Sequence, residues 1–409
     1  MKRRHQTTGR TNEFNQNSTF RSLIGVCICW MPFACLWDRE TLRMERVRFP
    51  SAVELMTGEF RRHSPEFHQW RIKDRLERIA NSPNDLSLLD DLAVSYEKTG
   101  QTDLAIQTML EKRAIEPGLY ETHANLGTFY IHAGEYEKGL VEINTAIEVN
   151  PDAHFGREKY QAMLVKYLLQ QRTDESIQLP LCDASRSSGH QQLPVGFAKF
   201  VIEESLPASV IAKQMNRGIW IYGDTEAAII DEAITGVLGM MRFGNFNSPV
   251  LLEALGDLLI FNTDSPKQLA TRAFLKAAYE VEDPEAKTKY REFAKQALSM
   301  QAVRGSSQMN LEDLESEFKT EIQAGDRWFK QICQNERDWI EAGLDVEAKY
   351  AEVYFEEPAA TKNRSRKRQQ RLKYFAWFMV AASALCGVFW FFNRMRHPES
   401  VKNKPILKP

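Results

Sequence analysis

Two successive acids, Asp90 and Asp91, and one histidine, His154, set near Arg157, Glu158 and Lys159, are the side chains here most suited to moving a proton. Paired carboxylates can divide acid and base work, and a histidine can act as a base where a partner orients it. Neither setting supplies the rest of such a site. Asp90 and Asp91 fall in the first turn of an expected helix, where acids favour the positive end of the dipole. His154 opens an expected helix with no identifiable orienting group. The six cysteines, Cys27, Cys29, Cys35, Cys182, Cys333 and Cys386, form no CxxC pair and none stands beside a regularly spaced histidine, which argues against zinc. There is no GxxxxGK[ST] loop, GxGxxG turn, GxSxG elbow or HExxH pair. The sequence therefore predicts no catalytic, cofactor-binding or metal-binding residue and no small-molecule substrate.

Charge excludes another class. Of 409 residues, 53 are Lys or Arg and 55 Asp or Glu, a net charge of -2, so no basic surplus points to nucleic acid. The basic residues are unevenly placed, however. Lys362, Arg364, Arg366, Lys367, Arg368, Arg371 and Lys373 run directly into an apolar stretch, the pattern of a membrane flank.

The elements that would carry a site are repeated. Leu86–Pro117 and Tyr120–Pro151 align at a period of 34, pairing Leu92-Ala93 with Leu126-Gly127, Tyr96 with Tyr130, Gly100 with Gly134, Ala105 with Gly139, Met109 with Ile143 and Pro117 with Pro151. Pro83 extends the register backwards. Each unit reads as two helices, with Leu89, Leu92, Ala93 and Tyr96 on one face of the first and Leu104, Ala105, Ile106 and Met109 on the packed face of the second. The small residues at 93/127 and 105/139 allow close helix approach. Gly100 and Gly134 supply turns, and the prolines end each hairpin.

On these residues, above all Leu126-Gly127, Tyr130, Gly134, Tyr136, Ala146 and Pro151, the chain resembles the tetratricopeptide repeat (TPR) family. The resemblance covers Leu86–Pro151, with Phe67–Ala80 as a partial preceding unit and His154–Leu169 as an amphipathic capping helix. It implies an all-α solenoid of TPR-type helical hairpins whose concave face is lined by first helices. Placed on that face, Asp91, Val94, Lys98, Asn125, Thr128, His132 and Lys159 become the candidate partner-binding residues. Asn125 matches a position at which some relatives clamp a terminal carboxylate. Asp90 and Val94 stand where that clamp needs Lys and Asn, so the expected ligand is an extended peptide or helix of mixed polarity.

Two apolar segments remain. Tyr374–Phe392 carries no charge over 19 residues, ends in aromatics and is followed by Arg394 and Arg396. At about 1.5 Å per residue it spans roughly 28 Å, the thickness of a bilayer core, and is expected to be a transmembrane helix. Ser22–Trp37 is shorter and follows Lys2, Arg3, Arg4, Arg10 and Arg21. It fits a cleaved signal peptide, a second anchor, or a stretch preceding a true start at Met31 or Met44.

The expected organisation is an apolar N-terminal segment (1–37), a repeat domain (60–169), a linker (170–194) and a second helical region (195–302). A charged amphipathic helical segment (303–357), a basic flank (358–373), the membrane helix (374–392) and a basic tail (393–409) follow. In the second region, helices are expected over Glu226–Met241, Pro249–Phe261, Lys267–Glu280 and Pro284–Met300. There Leu252, Leu255-Gly256, Leu259, Ala270, Phe274 and Ala277 resemble a degenerate repeat unit. The function expected is that of a single-pass, non-enzymatic scaffold binding a protein partner, its helical domain preferably outside the cytoplasm. A structural component of an envelope complex, or an enzyme with an unrecognised site in 195–302, are the alternatives.

Overall fold

The computed structural model describes residues 38–39, 49–151, 153–173, 176–186, 193–216, 220, 222–262, 266–300 and 310–355. Both apolar segments, the basic flank and the tail lie outside them. Among the described residues the chain is all-α, with fifteen α-helices and no strand. No helix among them is long and apolar enough to cross a membrane. The described residues fall into two compact units: a central unit drawn from Leu126–Gln301, and a terminal unit drawn from Leu36–Asn125 and Ala302–Pro409.

The terminal unit opens with α1 (Ala52–Thr57), started by a capping box from Ser51 and ended by Gly58 at φ 76°. Ser64 caps α2 (Pro65–Asn81), whose first position is proline. A hairpin follows, α3 (Ser87–Lys98) and α4 (Thr102–Ile115), turned by Gly100 at φ 76°. Ala93, Ala105 and Met109 are buried as expected. Leu104, expected on the packed face, is 41% exposed, and Ile106 is only half-buried. The inward face of α4 is instead Thr102, Ala105, Thr108, Met109 and Lys112, a rotation that brings the Lys112 ammonium to the buried Asp90. From the far end of the chain, α14 (Leu311–Glu341) packs on α1 and α2. Leu314, Phe318, Gly325, Ile332 and Glu336 are buried at spacings of four or seven residues, with Glu315 buried beside Leu314, so one stripe faces inward. At Gly325 a Cβ would collide with the Thr57 carbonyl oxygen. The short α15 (Val346–Tyr350) and a π-turn (Ala351–Phe355) close the unit.

The helix α5 (Tyr120–His132) passes from the terminal unit into the central one. With α6 (Tyr136–Val149) it forms the second hairpin, turned by Gly134 at φ 80°. A Cβ on Gly127 would lie 2.6 Å from the Ile143 side chain. One on Gly139 would lie 2.6 Å from that of Ile131 and 2.9 Å from the Gly127 carbonyl oxygen, so the pair meets at its small residues. After a 3-10 turn (Ala153–Gly156), α7 (Arg157–Gln171) begins. It was expected as an amphipathic cap, but Tyr160 through Val165, Tyr167 and Leu168 are all buried, because α6, α8 (Gly196–Ser205) and α10 (Asp224–Phe243) surround it. Helix α8 and α9 (Ala208–Asn216) occupy a stretch for which no helix was expected. The expected bounds of α11 (Pro249–Phe261) and α12 (Lys267–Glu280) are met to the residue, and α13 (Pro284–Ser299) ends one residue early. All of α11 is buried. Gly256 receives the Phe274 ring, 2.5 Å from where its Cβ would stand.

Candidate functional site

The seven residues expected in a partner-binding groove are placed very differently. In the terminal unit Asp91 and Val94 are buried on α3, and Asn125 is buried midway along α5, its Nδ2 3.8 Å from Met109 Sδ. Lys98, at the end of α3, is exposed. In the central unit Thr128 and His132 are buried on α5, with Gln161 Nε2 donating to Thr128 Oγ1 at 3.4 Å. Lys159 is exposed on α7, 4.0 Å from Glu232. The exposed polar members are thus the two lysines. The others are core residues of their own units.

The burial of Asp91 has a specific cause. It sits between two guanidiniums of α2, with Oδ1 2.8 Å from Arg71 Nη2 and Oδ2 2.8 Å from Arg75 Nε. Asp38 Oδ2 lies 2.6 Å from Arg71 Nη1, Glu347 Oε1 lies 3.0 Å from Arg71 Nε, and Arg75 also pairs with Asp74 and Glu347. Burial works against the charge on Arg71, but Asp38, Asp91 and Glu347 outweigh it and hold the guanidinium firmly protonated. Asp90 points the other way, with both oxygens 2.7–2.8 Å from Lys112 Nζ. Burial pushes its carboxyl up to about 7 against that lysine. The two acids read as first-turn dipole partners are therefore committed to buried ion pairs, and they do not share a site. Nearby, Glu336 on α14 binds the segment before α2, with Oε1 2.6 Å from His63 Nδ1 and Oε2 accepting from the Ser64 N–H at 2.8 Å.

The central unit holds a second such cluster. Glu253 and Asp257 lie one turn apart on the buried helix α11, and Arg186 enters between them from the loop before α8. Asp257 Oδ1 accepts from Arg186 Nε and Nη2 at 3.0 and 2.9 Å, and its Oδ2 from the Phe197 N–H at 3.0 Å. Glu253 Oε2 accepts from the Leu181 N–H at 2.8 Å and Tyr290 Oη at 2.7 Å. Its Oε1 accepts from the Cys182 N–H and Arg186 Nη2 at 3.1 and 3.3 Å. The guanidinium also lies 3.6 Å from the Phe293 ring centre. Burial and the adjacent Asp257 push Glu253 up to about 7, opposed by Arg186, Tyr290 and the Leu181 N–H. Within the segment expected as a linker, 176–186 is therefore tied to the unit at Leu181, Cys182 and Arg186, through two backbone N–H groups and one guanidinium, while Ser176, Gln178 and Asp183 to Ser185 stay exposed.

All four carboxylate oxygens of this cluster accept from protein donors, so its chemistry is cross-bracing: a loop, α8, α11 and α13 are tied at one point. Two acids four residues apart within PVLLEALGDLLIF are the signal that could have found it, since charge on a wholly apolar helix requires a buried partner. Among the described residues no group of three His, Cys, Asp or Glu side chains could hold a metal ion. Neither a protein-family model nor a curated protein matches the chain.

Proposed function

We propose that this chain is a membrane-anchored, non-enzymatic scaffold of the TPR type, whose repeated hairpins receive a protein or peptide partner. The observation that carries the reading is the recurrence of one hairpin after 34 residues, with Gly100 and Gly134 at matching turns, both at positive φ. Small residues are buried at matching positions, Ala93 and Ala105 in one hairpin and Gly127 and Gly139 in the other, and the two glycines sit where their helices meet. Hairpins of this kind offer the outer face of a first helix to a partner. In the terminal unit Lys98, and in the central unit Lys159, is an exposed lysine able to steer an acidic segment of a partner. The anchor is supported by the uncharged Tyr374–Phe392 and its basic flanks.

A photo-crosslinking residue placed at Lys98 or Lys159 in the full chain tests this. Adducts with a discrete partner are expected at both positions. They should be absent at Leu104 and Val141, which are also exposed but lie on second helices. Equal labelling at all four positions, or adducts at the second-helix positions alone, would remove the docking surface from the proposal.

A further inference from the structure

Two imidazoles meet where α14, from the far end of the sequence, docks on the start of α2. His63 Nδ1 lies 2.6 Å from Glu336 Oε1 of α14, and Glu336 Oε2 accepts from the Ser64 N–H. The His63 ring stacks on Phe67 at 3.7 Å and leans on Tyr350 of α15 at 4.1 Å. His68 is buried edge-on to His63 and Phe67, its ring centre 6.2 and 5.2 Å from theirs. No described residue hydrogen-bonds to its buried Nδ1. The charge around it is one-sided. His63, Arg71 of α2 and Lys98 of α3 face it, with Asp38 opposing them. Each nearby acid already serves another group: Asp38, Asp91 and Glu347 hold Arg71, Glu97 offsets Lys98, Glu66 pairs with Arg337 of α14, and Glu336 is committed to His63 and Ser64. A proton on His68 would therefore be buried among cations.

We propose that this junction is an acid-operated release: a proton taken up by His68 frees α14 from α1 and α2 and uncovers the apolar surface beneath its inward stripe. The release needs no docked partner, because both sides of the junction belong to this chain. Burial, then the charges on His63, Arg71 and Lys98, hold the docked His68 well below its ordinary 6.5. Its contribution to docking is therefore full above 6.5 and is lost as pH falls below it, by about tenfold in the opening equilibrium per pH unit. A proton on His63 is met by Glu336 and favours docking, so the effect of His68 has to be read against variants that cannot take up its proton. The buried acids act the other way. Asp90 and Glu253, each pushed up to about 7 chiefly by burial, favour the folded α3–α4 hairpin and the folded central unit as pH falls. Acid should therefore open the junction and leave the remainder folded.

Methionine oxidation by dilute hydrogen peroxide reads this in the full chain, since the probe attacks a thioether that does not titrate in this range. Met56 is wholly buried on α1, which packs on α14, and Met109 and Met240 are equally buried on α4 and α10 as controls. Digestion and mass spectrometry give the oxidation rate of each at about pH 7.5 and about pH 5.5, in wild type, His68→Phe and His68→Gln. The expected result is faster oxidation of Met56 at the lower pH in wild type, by a factor about ten times that in either variant, with Met109 and Met240 protected throughout. No acceleration at Met56, or an equal acceleration in the variants, overturns the release. Oxidation of Met109 or Met240 in step with Met56 overturns it too, because acid would then be unfolding the chain as a whole. Should both variants already oxidise at Met109 at the higher pH, they have not folded, and the wild-type contrast between Met56 and the two controls decides alone.

Discussion

Arg186 shows what one buried charge does in this protein. It pairs with both Glu253 and Asp257 inside a helix that is otherwise apolar, and it joins that helix to a loop some seventy residues earlier. Replacing it by leucine keeps much of its contact with Phe293 but leaves two carboxyls buried without their cation. Removing one partner of a buried ion pair costs about 3–5 kcal/mol. The pH dependence fixes the sign of the effect. Glu253 is raised from an ordinary 4.5 to about 7, chiefly by burial, so the folded state binds its proton more tightly than the unfolded state does. Such a group favours folding fully below about 4.5, and that contribution is lost as pH rises through about 7. Without Arg186 both carboxyls move further up. Denaturant unfolding of Arg186→Leu should therefore show a larger deficit against wild type at pH 8 than at pH 5. The reverse order would mean that the carboxyls are not held by this guanidinium.

Among the helices, glycine at a contact and glycine at a turn make separable demands. Gly325 faces the backbone of Thr57 and Glu59, which cannot rotate away as a side chain could. Gly325→Ala should therefore push α14 off α1: a clash with backbone falls at the upper end of overpacking costs, about 3 kcal/mol, and outweighs the roughly 1 kcal/mol that alanine returns in helix propensity, leaving a net loss of about 2 kcal/mol. Gly134→Ala meets no atom within 4 Å and carries only the strain of its φ of 80°, about 1 kcal/mol. If Gly134→Ala lowers the unfolding midpoint more than Gly325→Ala, the packing assigned to α14 is wrong. The same distinction marks what could be read in advance. The bounds of α11 were legible because proline opens an unbroken apolar run, and the hairpin turns because glycine recurs at a fixed interval. The exposure of Leu104 was not legible, because the roll of α4 follows the Lys112–Asp90 pair, a contact between different helices. The strap at 176–186 was hidden for a related reason. Its polar composition is that of a solvated linker, which most of it is, and only the distant acids on α11 reveal that Leu181 and Arg186 are buried. The apolar Val94 and the four polar candidates Asp91, Asn125, Thr128 and His132 lie buried, because side-chain type alone does not distinguish a docking residue from a core residue or a core ion-pair partner such as Asp91.

For the whole chain, the proposed membrane span makes a prediction about sidedness. Seven basic residues lie just before Tyr374–Phe392 and five after it (Arg394, Arg396, Lys402, Lys404, Lys408), a small bias, so orientation has to be measured at more than one point. Compartment-specific reporters fused after Gln170 and after Lys408 should register opposite sides of the membrane, since the uncharged span lies between them. A Gln170 fusion reporting outside the cytoplasm would place the helical units on the exported side, with the basic tail inside. Partners would then be sought among exported proteins. A cytoplasmic Gln170 fusion would turn the search to cytoplasmic partners. If both fusions report the same side, Tyr374–Phe392 does not cross the bilayer, and the docking surface would have to be sought in a protein that rests on the membrane without spanning it.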